Sequence, residues 1–370
     1  MDLCEQSPAY VRAIAPYQPG KPITELAREL GLDERTIVKL ASNENPRGVS
    51  PKALAAIKAA LPELGRYPDG FELTQALSRR LGVTMQQIVL GNGSNDVLEL
   101  AGMAFLAPGR SAVYSQHAFA VYPLATQARG AQGIVVPAKH YGHDLEAMLA
   151  AIRPDTRVVF IANPNNPTGT MLTAAELESF FVRAPKNVVV VVDEAYNEYL
   201  DPALRCPSVA WVERFPNLIV TRTFSKVYGL AGLRVGYAVC HADVAALLNR
   251  VRQPFNVNNL AIVAAAAALT DDEFLRQSYE LNVAGMAQLE AGCKRLGVAW
   301  IPSYGNFLTV EIPRAGAASQ AAAVFQKLLR VGVIVRPLAG YDMPDHLRVT
   351  IGLAEENARF LDALETVLKG

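Results

Sequence analysis

A chain of 370 residues, 51% hydrophobic and 19% charged, has room for two compact units with their own cores and the makeup of an ordinary globular protein. Its 35 Lys and Arg balance 35 Asp and Glu, which argues against a nucleic-acid or anionic-membrane partner, since both select a basic excess. Cys4, Cys206, Cys240 and Cys293 are far apart with no C-x-x-C pair; a disulfide framework or zinc site is not expected, and a reducing, cytoplasmic compartment fits.

The first residues, MDLCEQSPAY, hold no apolar stretch of the kind a signal peptide needs. Residues 1–40 read as an arm, broken by Pro16, Pro19, Gly20 and Pro22 before a short helix from Thr24. Ser50 followed by Pro51 marks a helix start, with serine as the cap and proline at the first helical position. Strands are then predicted over 88–90, 112–115, 133–136, 157–162, 187–192, 218–221 and 236–239, with helices near 95–106, 119–129, 144–152 and 173–183. VVFIA and NVVVVVD are unbroken apolar runs, the pattern of strands covered on both faces in a largely parallel sheet. The apolar run 260–269 is too short to span a bilayer and reads as a buried helix. A long helix over 270–296 is followed by a smaller α+β unit: strand 307–312, helix 316–331, strands 333–336 and 347–351, and helix 354–368. This divides the chain into an arm (1–40), a large domain (41–270) and a small domain (271–370) packed with the arm.

Polar clusters fall where strands end: GNGSND (91–96), NPNNPTG (163–169), DEAY (193–196) and TRTFSK (221–226). In open α/β sheets, ligands bind beyond the carboxyl ends of strands. Alone, each run has a plainer reading: a tight turn, a double turn, a solvated strand end, a surface lysine. Together they mark one edge. GNGSND suits an anion cradle, because small residues let helix-start N–H groups reach a phosphate. VVVVVDEAY also looks like the magnesium strand of a P-loop ATPase, but G-x-x-x-x-G-K-[ST] is absent. His140 and His143 lack a third ligand and read as surface histidines, so no metal site is expected. Ser225 and Lys226 are adjacent, which fits neither G-x-S-x-G nor S-x-x-K.

In TRTFSKVYGLAGLRVGY, a lysine after serine is followed eight residues later by Arg234 in a Gly-rich segment. This resembles the cofactor-lysine segment of fold type I pyridoxal-phosphate enzymes, and NPNNPTG and DEAY precede it in that family's order. APYQPGKP (15–22), KLASNENPRGVSP (39–51), RYPDG (66–70), LGNGSNDVLEL (90–100) and HLRVTIG (346–352) extend the likeness nearly end to end, and here the chain resembles the histidinol-phosphate aminotransferase family.

The resemblance implies an α/β fold, with a mostly parallel seven-stranded sheet between helices and a smaller α+β domain. It implies pyridoxal 5'-phosphate held by Lys226 as a Schiff base, with the freed lysine amine then moving a proton. Asp193 would face the ring nitrogen, Asn166 and Tyr196 the ring hydroxyl oxygen, and Phe119 the ring face. Ser94, Asn95, Thr223, Ser225 and Arg234 would hold the phosphate, and Tyr67 would reach the phosphate of the neighbouring subunit of a homodimer. Arg336 and Arg348, with Tyr17 and Asn43, would bind the substrate. The implied reaction is ping-pong transamination of L-histidinol phosphate with 2-oxoglutarate, giving imidazole acetol phosphate and L-glutamate. One departure stands out: Phe255 replaces a tyrosine that some members direct at the substrate phosphate, a loss of about 1–2 kcal/mol of binding if nothing replaces it. It keeps a phenylalanine or tyrosine aminotransferase in view, with threonine-phosphate decarboxylase as a third relative. A non-catalytic regulator on this fold would carry a DNA-binding domain, for which the first 40 residues are too short and not basic.

Overall fold

The structure, a computed structural model, describes residues 3–314, 316 and 318–369. Its strands are β1 (Val38–Lys39), β2 (Ile88–Gly91), β3 (Ser111–Ser115), β4 (Gln132–Val136), β5 (Thr156–Ala162), β6 (Val189–Asp193), β7 (Leu218–Thr223), β8 (Gly236–Cys240), β9 (Ala299–Ile301), β10 (Phe307–Glu311), β11 (Val333–Ile334), β12 (Arg336–Pro337) and β13 (His346–Thr350). Seven of them form one sheet in the order β2-β8-β7-β6-β5-β3-β4. From β7 to β4 every pairing is parallel; β8 alone runs antiparallel to both its neighbours.

The valine run explains why this sheet is central. Val190 and Val192 enter one apolar cluster with Leu177, Phe180 and Ala261, while Val189 and Val191 enter another with Val97, Tyr122 and Ala245. Alternate residues of a strand point to opposite faces, so both faces of β6 are buried under helices. On the first face lie Pro51–Ala60, Phe71–Leu81, Ala174–Arg183 and Asn259–Ala268; on the second lie Ser94–Phe105, Val121–Gln127 and Ala242–Val251. Ser50 caps its helix as expected, its side chain accepting from Ala53 N at 3.1 Å.

A second, antiparallel sheet runs β12-β13-β10-β9. Its core joins Leu308, Val310, Leu347 and Val349 to Leu289 of helix Asp272–Leu296, Leu328 of Ala321–Arg330 and Phe360 of Ala354–Lys369. β1 pairs in parallel with β11, Val38 opposite Val333, which ties the start of the chain to its last quarter.

Two predicted elements need correction. The strand expected over 333–336 is two short strands in different sheets, β11 beside β1 and β12 beside β13; three apolar residues followed by Arg336 cannot report that the pairing partner changes midway. The helix expected over 316–331 begins only at Ala321, and residues 315 and 317 lie outside the described ones. Helices Phe71–Leu81 and Ala242–Val251 and strand β9 went unrecognised in the sequence. No helix among the described residues is long and apolar enough to cross a membrane, and no group of three or more His, Cys, Asp or Glu among them could hold a metal ion.

Candidate active site

Parallel pairing sets the polar clusters side by side. Ala162 lies opposite Asp193, and Asp193 opposite Thr221. GNGSND reaches the same edge through β8, where Gly236 faces both Thr223 and Gly91. Gly236 must be glycine: a Cβ there would sit 2.5 Å from Ser94 N and 2.9 Å from Arg222 O. Gly93, at φ 86°, caps helix Ser94–Phe105, and a Cβ on it would run into the Arg234 guanidinium.

One pocket is lined by Lys226, Asp193, Tyr196, Asn166, Phe119, Ser94, Asn95, Thr223, Ser225 and Arg234, and also by Tyr17, Asn43, Arg336 and Arg348. Of the expected site residues, only Tyr67 is absent from it. Tyr67 is 80% exposed, and its ring stacks on Phe255 at 4.4 Å.

Asp193 closes β6 and is buried. It accepts from the Tyr122 hydroxyl at 3.0 Å and from the Thr221 hydroxyl at 3.1 Å. Burial pushes its carboxyl pKa up, and the two hydroxyls and the Ala195 N–H only partly oppose this. It enters no ion pair with another described residue, and the Lys226 charge acts on it only through space. A buried carboxylate without a positive partner is costly, and a protonated heteroaromatic nitrogen would supply one. Tyr122 and Thr221 went unnoticed in the sequence; Thr221 stands two residues before Thr223 on β7, a spacing that puts both on the same face.

Lys226 lines the pocket with its Nζ donating to Ser42 O at 3.1 Å. Loss of solvent, then the Arg348 charge and that of Arg234, lower its pKa from 10.5 to about 8, against the opposing pull of Glu44 and Asp193. A useful fraction of the amine is therefore uncharged near neutrality. Ser42 and Glu44 come from the segment between β1 and Ser50, which tertiary contact alone carries here.

An anion cup lies beside it. The first N–H groups of helix Ser94–Phe105 lack intrahelical partners. Arg234, in the left-handed region at φ 59°, donates from Nη1 to Ser225 Oγ at 3.3 Å. The Ser225 N–H donates to Thr223 Oγ1 at 3.1 Å. Helix N–H groups, three hydroxyls and a guanidinium match a phosphate monoester.

The far end of the pocket comes from other parts of the chain. Arg348 on β13 is buried; it donates from Nη1 to Asn166 Oδ1 at 2.5 Å and from Nη2 to Ala41 O at 2.7 Å, and its Nε is buried without a partner. Burial lowers its pKa, and no carboxylate of the described chain neutralises it. Asn43 Nδ2 donates to the Tyr196 hydroxyl at 2.9 Å, and Thr350 Oγ1 donates to Asn43 Oδ1 at 3.0 Å. Burial pushes the Tyr196 phenol up to about 12. Arg336 lies over the Tyr17 ring, 5.5 Å from its centroid. Tyr341 joins this wall, another residue the sequence did not point to.

His143 corrects an expectation. It is buried rather than on the surface; its Nε2 lies 3.0 Å from the carbonyl oxygen and 3.2 Å from the nitrogen of Ala162 at the end of β5, and burial lowers its imidazole to about 4. His140 is exposed as expected.

The fold and this strand-edge site define a class of enzyme: residues 35–364 match the family model of the aminotransferases of class I and II, and the chain belongs to that family. Within it, the chain groups with the histidinol-phosphate aminotransferases. It is 63% identical to histidinol-phosphate aminotransferase 1 of Dechloromonas aromatica over 100% of both chains. It is 61% identical to histidinol-phosphate aminotransferase 2 of Nitrosospira multiformis, covering 100% of this chain and 93% of that protein. Among solved structures, histidinol-phosphate aminotransferase of Sinorhizobium meliloti in complex with pyridoxal-5'-phosphate superposes with a TM-score of 0.89 at 27% identity, over 98% of this chain and 97% of that one. An aspartate aminotransferase variant of Thermus thermophilus shares the fold, with a TM-score of 0.84 at 23% identity over 98% of this chain and 99% of that one.

Proposed function

We propose that this chain is a pyridoxal-phosphate-dependent aminotransferase that moves the amino group of L-histidinol phosphate to 2-oxoglutarate, yielding imidazole acetol phosphate and L-glutamate in histidine biosynthesis. The relatives at above 60% identity over the whole chain support the substrate. The observation that carries the chemistry is the buried Asp193, held in no ion pair, in one pocket with a lysine amine whose pKa is lowered to about 8.

The residues fit the cofactor. Lys226 would hold its aldehyde carbon, Asp193 its ring nitrogen, Asn166 and Tyr196 its ring oxygen, and Phe119 its face. Ser94, Asn95, Thr223, Ser225 and Arg234 would hold its phosphate. When bound, it supplies an electron-withdrawing ring that stabilises negative charge at the substrate α-carbon. Lys226 Nζ, uncharged in part near neutrality, would take the proton from the substrate α-carbon and carry it for return on the other side of the amino nitrogen. Asp193, with its two oxygens fixed by Tyr122 and Thr221, keeps its charge aimed at one place. Arg348, with Nε unpartnered and no carboxylate of its own, binds the anionic groups of either substrate, and Arg336 and Tyr17 stand beside it. Two arginines serve both half-reactions, one substrate offering a phosphate and the other carboxylates.

The same reading has a cytoplasmic homodimer in which the exposed Tyr67 reaches the neighbouring cofactor phosphate. It divides the chain into the arm (1–40), the large domain (41–270) and the small domain (271–370); the β1–β11 pairing and the separate apolar cores support that division. Borohydride reduction of the loaded enzyme followed by peptide mapping tests the site, and label on a lysine other than Lys226 overturns it. Steady-state kcat/KM for histidinol phosphate beside phenylalanine and tyrosine, each with 2-oxoglutarate, tests the substrate. Phe255 favours the aromatic acids as a second reading, and a preference for them would replace the first.

A further inference from the structure

His117 lies outside the pocket, and nothing in the chemistry above uses it. It follows β3 by two residues and is buried at 9% exposure. Asn165 Nδ2 in the 163–169 loop donates to its main-chain oxygen at 2.8 Å, fixing its backbone to the large sheet. Its Nδ1 lies 2.7 Å from the main-chain oxygen of Tyr341. A carbonyl oxygen only accepts, so Nδ1 carries the hydrogen and the imidazole donates, whether neutral or charged.

Tyr341 belongs to the other part of the chain. It ends the 3-10 turn Ala339–Tyr341, just before β13, and its N–H donates to Leu338 O at 2.9 Å. Its ring lines the pocket with Arg336 and Arg348 and shares a small apolar cluster with Leu338 and Met343, against which Ala120 packs. The His117–Tyr341 bond thus crosses from the end of β3 to the turn that presents the substrate end of the pocket. An aromatic wall beside a buried guanidinium excludes water and strengthens that guanidinium's attraction for an anion. A wall that drifts weakens binding but leaves the proton-transfer groups, which belong to the sheet edge, in place.

Resting on the aminotransferase reading above, we propose that His117 is a positioning residue for substrate recognition: by donating to the Tyr341 carbonyl it holds the Tyr341 ring against the anion-binding end of the pocket, and so sets substrate affinity rather than the chemical step.

The test uses side chains that keep or misplace the donor. Asparagine puts its Nδ2 near the position of imidazole Nδ1; glutamine reaches farther, to about the position of Nε2; leucine has no donor. His117→Asn is expected to keep KM for histidinol phosphate close to that of the unaltered enzyme. His117→Gln and His117→Leu are expected to raise it by about three- to tenfold, the range for one net hydrogen bond, with kcat changed by less than about twofold. Unchanged KM in both, a loss confined to kcat, or an Asn variant as impaired as the Leu variant would overturn the proposal. If the Leu variant does not fold, the Asn and Gln pair carries the comparison. Amide hydrogen exchange over 339–346 in the substrate-free protein gives a second readout, expected to be faster in His117→Gln than in His117→Asn; equal exchange in the two overturns the tether. That readout needs no turnover, so an unaltered enzyme that ignores histidinol phosphate would refute the substrate assignment while leaving the tether to be judged by exchange.

Discussion

The two ends of the pocket are built differently. At the proposed cofactor end, the polar groups come from neighbouring strand ends of one sheet, and partners on that sheet, on the helix packed against it and in the loop before β8 satisfy them: Asp193 by Tyr122 and Thr221, the Ser225 N–H by Thr223, Ser225 by Arg234. At the substrate end, Arg348 comes from β13, Asn43 and Tyr17 from the first residues of the chain and Tyr341 from the turn before β13; the buried guanidinium keeps an unpartnered Nε. A rigid sheet edge suits a group that stays bound through every turnover. An end assembled from separate segments, short of one counter-charge, suits anions that must come and go.

This contrast can be broken at its strongest point first. Lys226→Ala is expected to lower kcat by about four powers of ten, the upper range for loss of a proton-transfer group, in a single-turnover assay on the loaded variant. In the cofactor-free protein, the Lys226 amine should react with a small aldehyde and borohydride with half-maximal rate near pH 8 rather than 10.5, because the uncharged form accumulates above its lowered pKa; mapped labelling across pH checks this. Asp193→Asn is expected to cost about a hundredfold in kcat, roughly the worth of a buried charge-assisted contact. The cofactor-free variant should nonetheless melt above its parent at neutral pH. The folded Asp193 pKa is raised, so its stabilising contribution is present below the unfolded value and is lost as pH rises through the folded one; the gap in melting temperature should shrink in acid.

Substitutions at the substrate end should act on binding instead. Arg348→Leu is expected to raise KM for both substrates by about 10- to 100-fold, the range for a hydrogen bond to a charged group, with a smaller change in kcat. A collapse of kcat at constant KM would erase the distinction between the two ends. The smallest effect belongs to Phe255→Tyr, expected to lower KM for histidinol phosphate by no more than about tenfold, one net hydrogen bond, and to leave phenylalanine kinetics unchanged.

Much of the pocket's sheet edge was legible because each part lies in one contiguous run: Asp193 after five valines, Lys226 after serine just beyond β7, Ser94 in a turn into a helix. Tyr122 and Thr221 escaped notice because a tyrosine in a helix and a threonine in a strand carry no local mark; only the packing of that helix on β6 reveals their target. His143 misled for the opposite reason: its neighbours read as a solvated turn, and the fold tucks its ring against Ala162. His117 and Tyr341 are 224 residues apart, and no local pattern connects them.

Hydrophobic period and strand-end residues by themselves determined that this chain forms a largely parallel sheet covered on both faces, with its polar clusters along one edge, since local sterics and burial decide those features residue by residue. Which distant segments close over that edge, how far the lysine's charge is suppressed, and which arginine is left seeking an anion were decided by tertiary structure. Desolvation and through-space charge depend on what surrounds an atom, and chain order does not specify it.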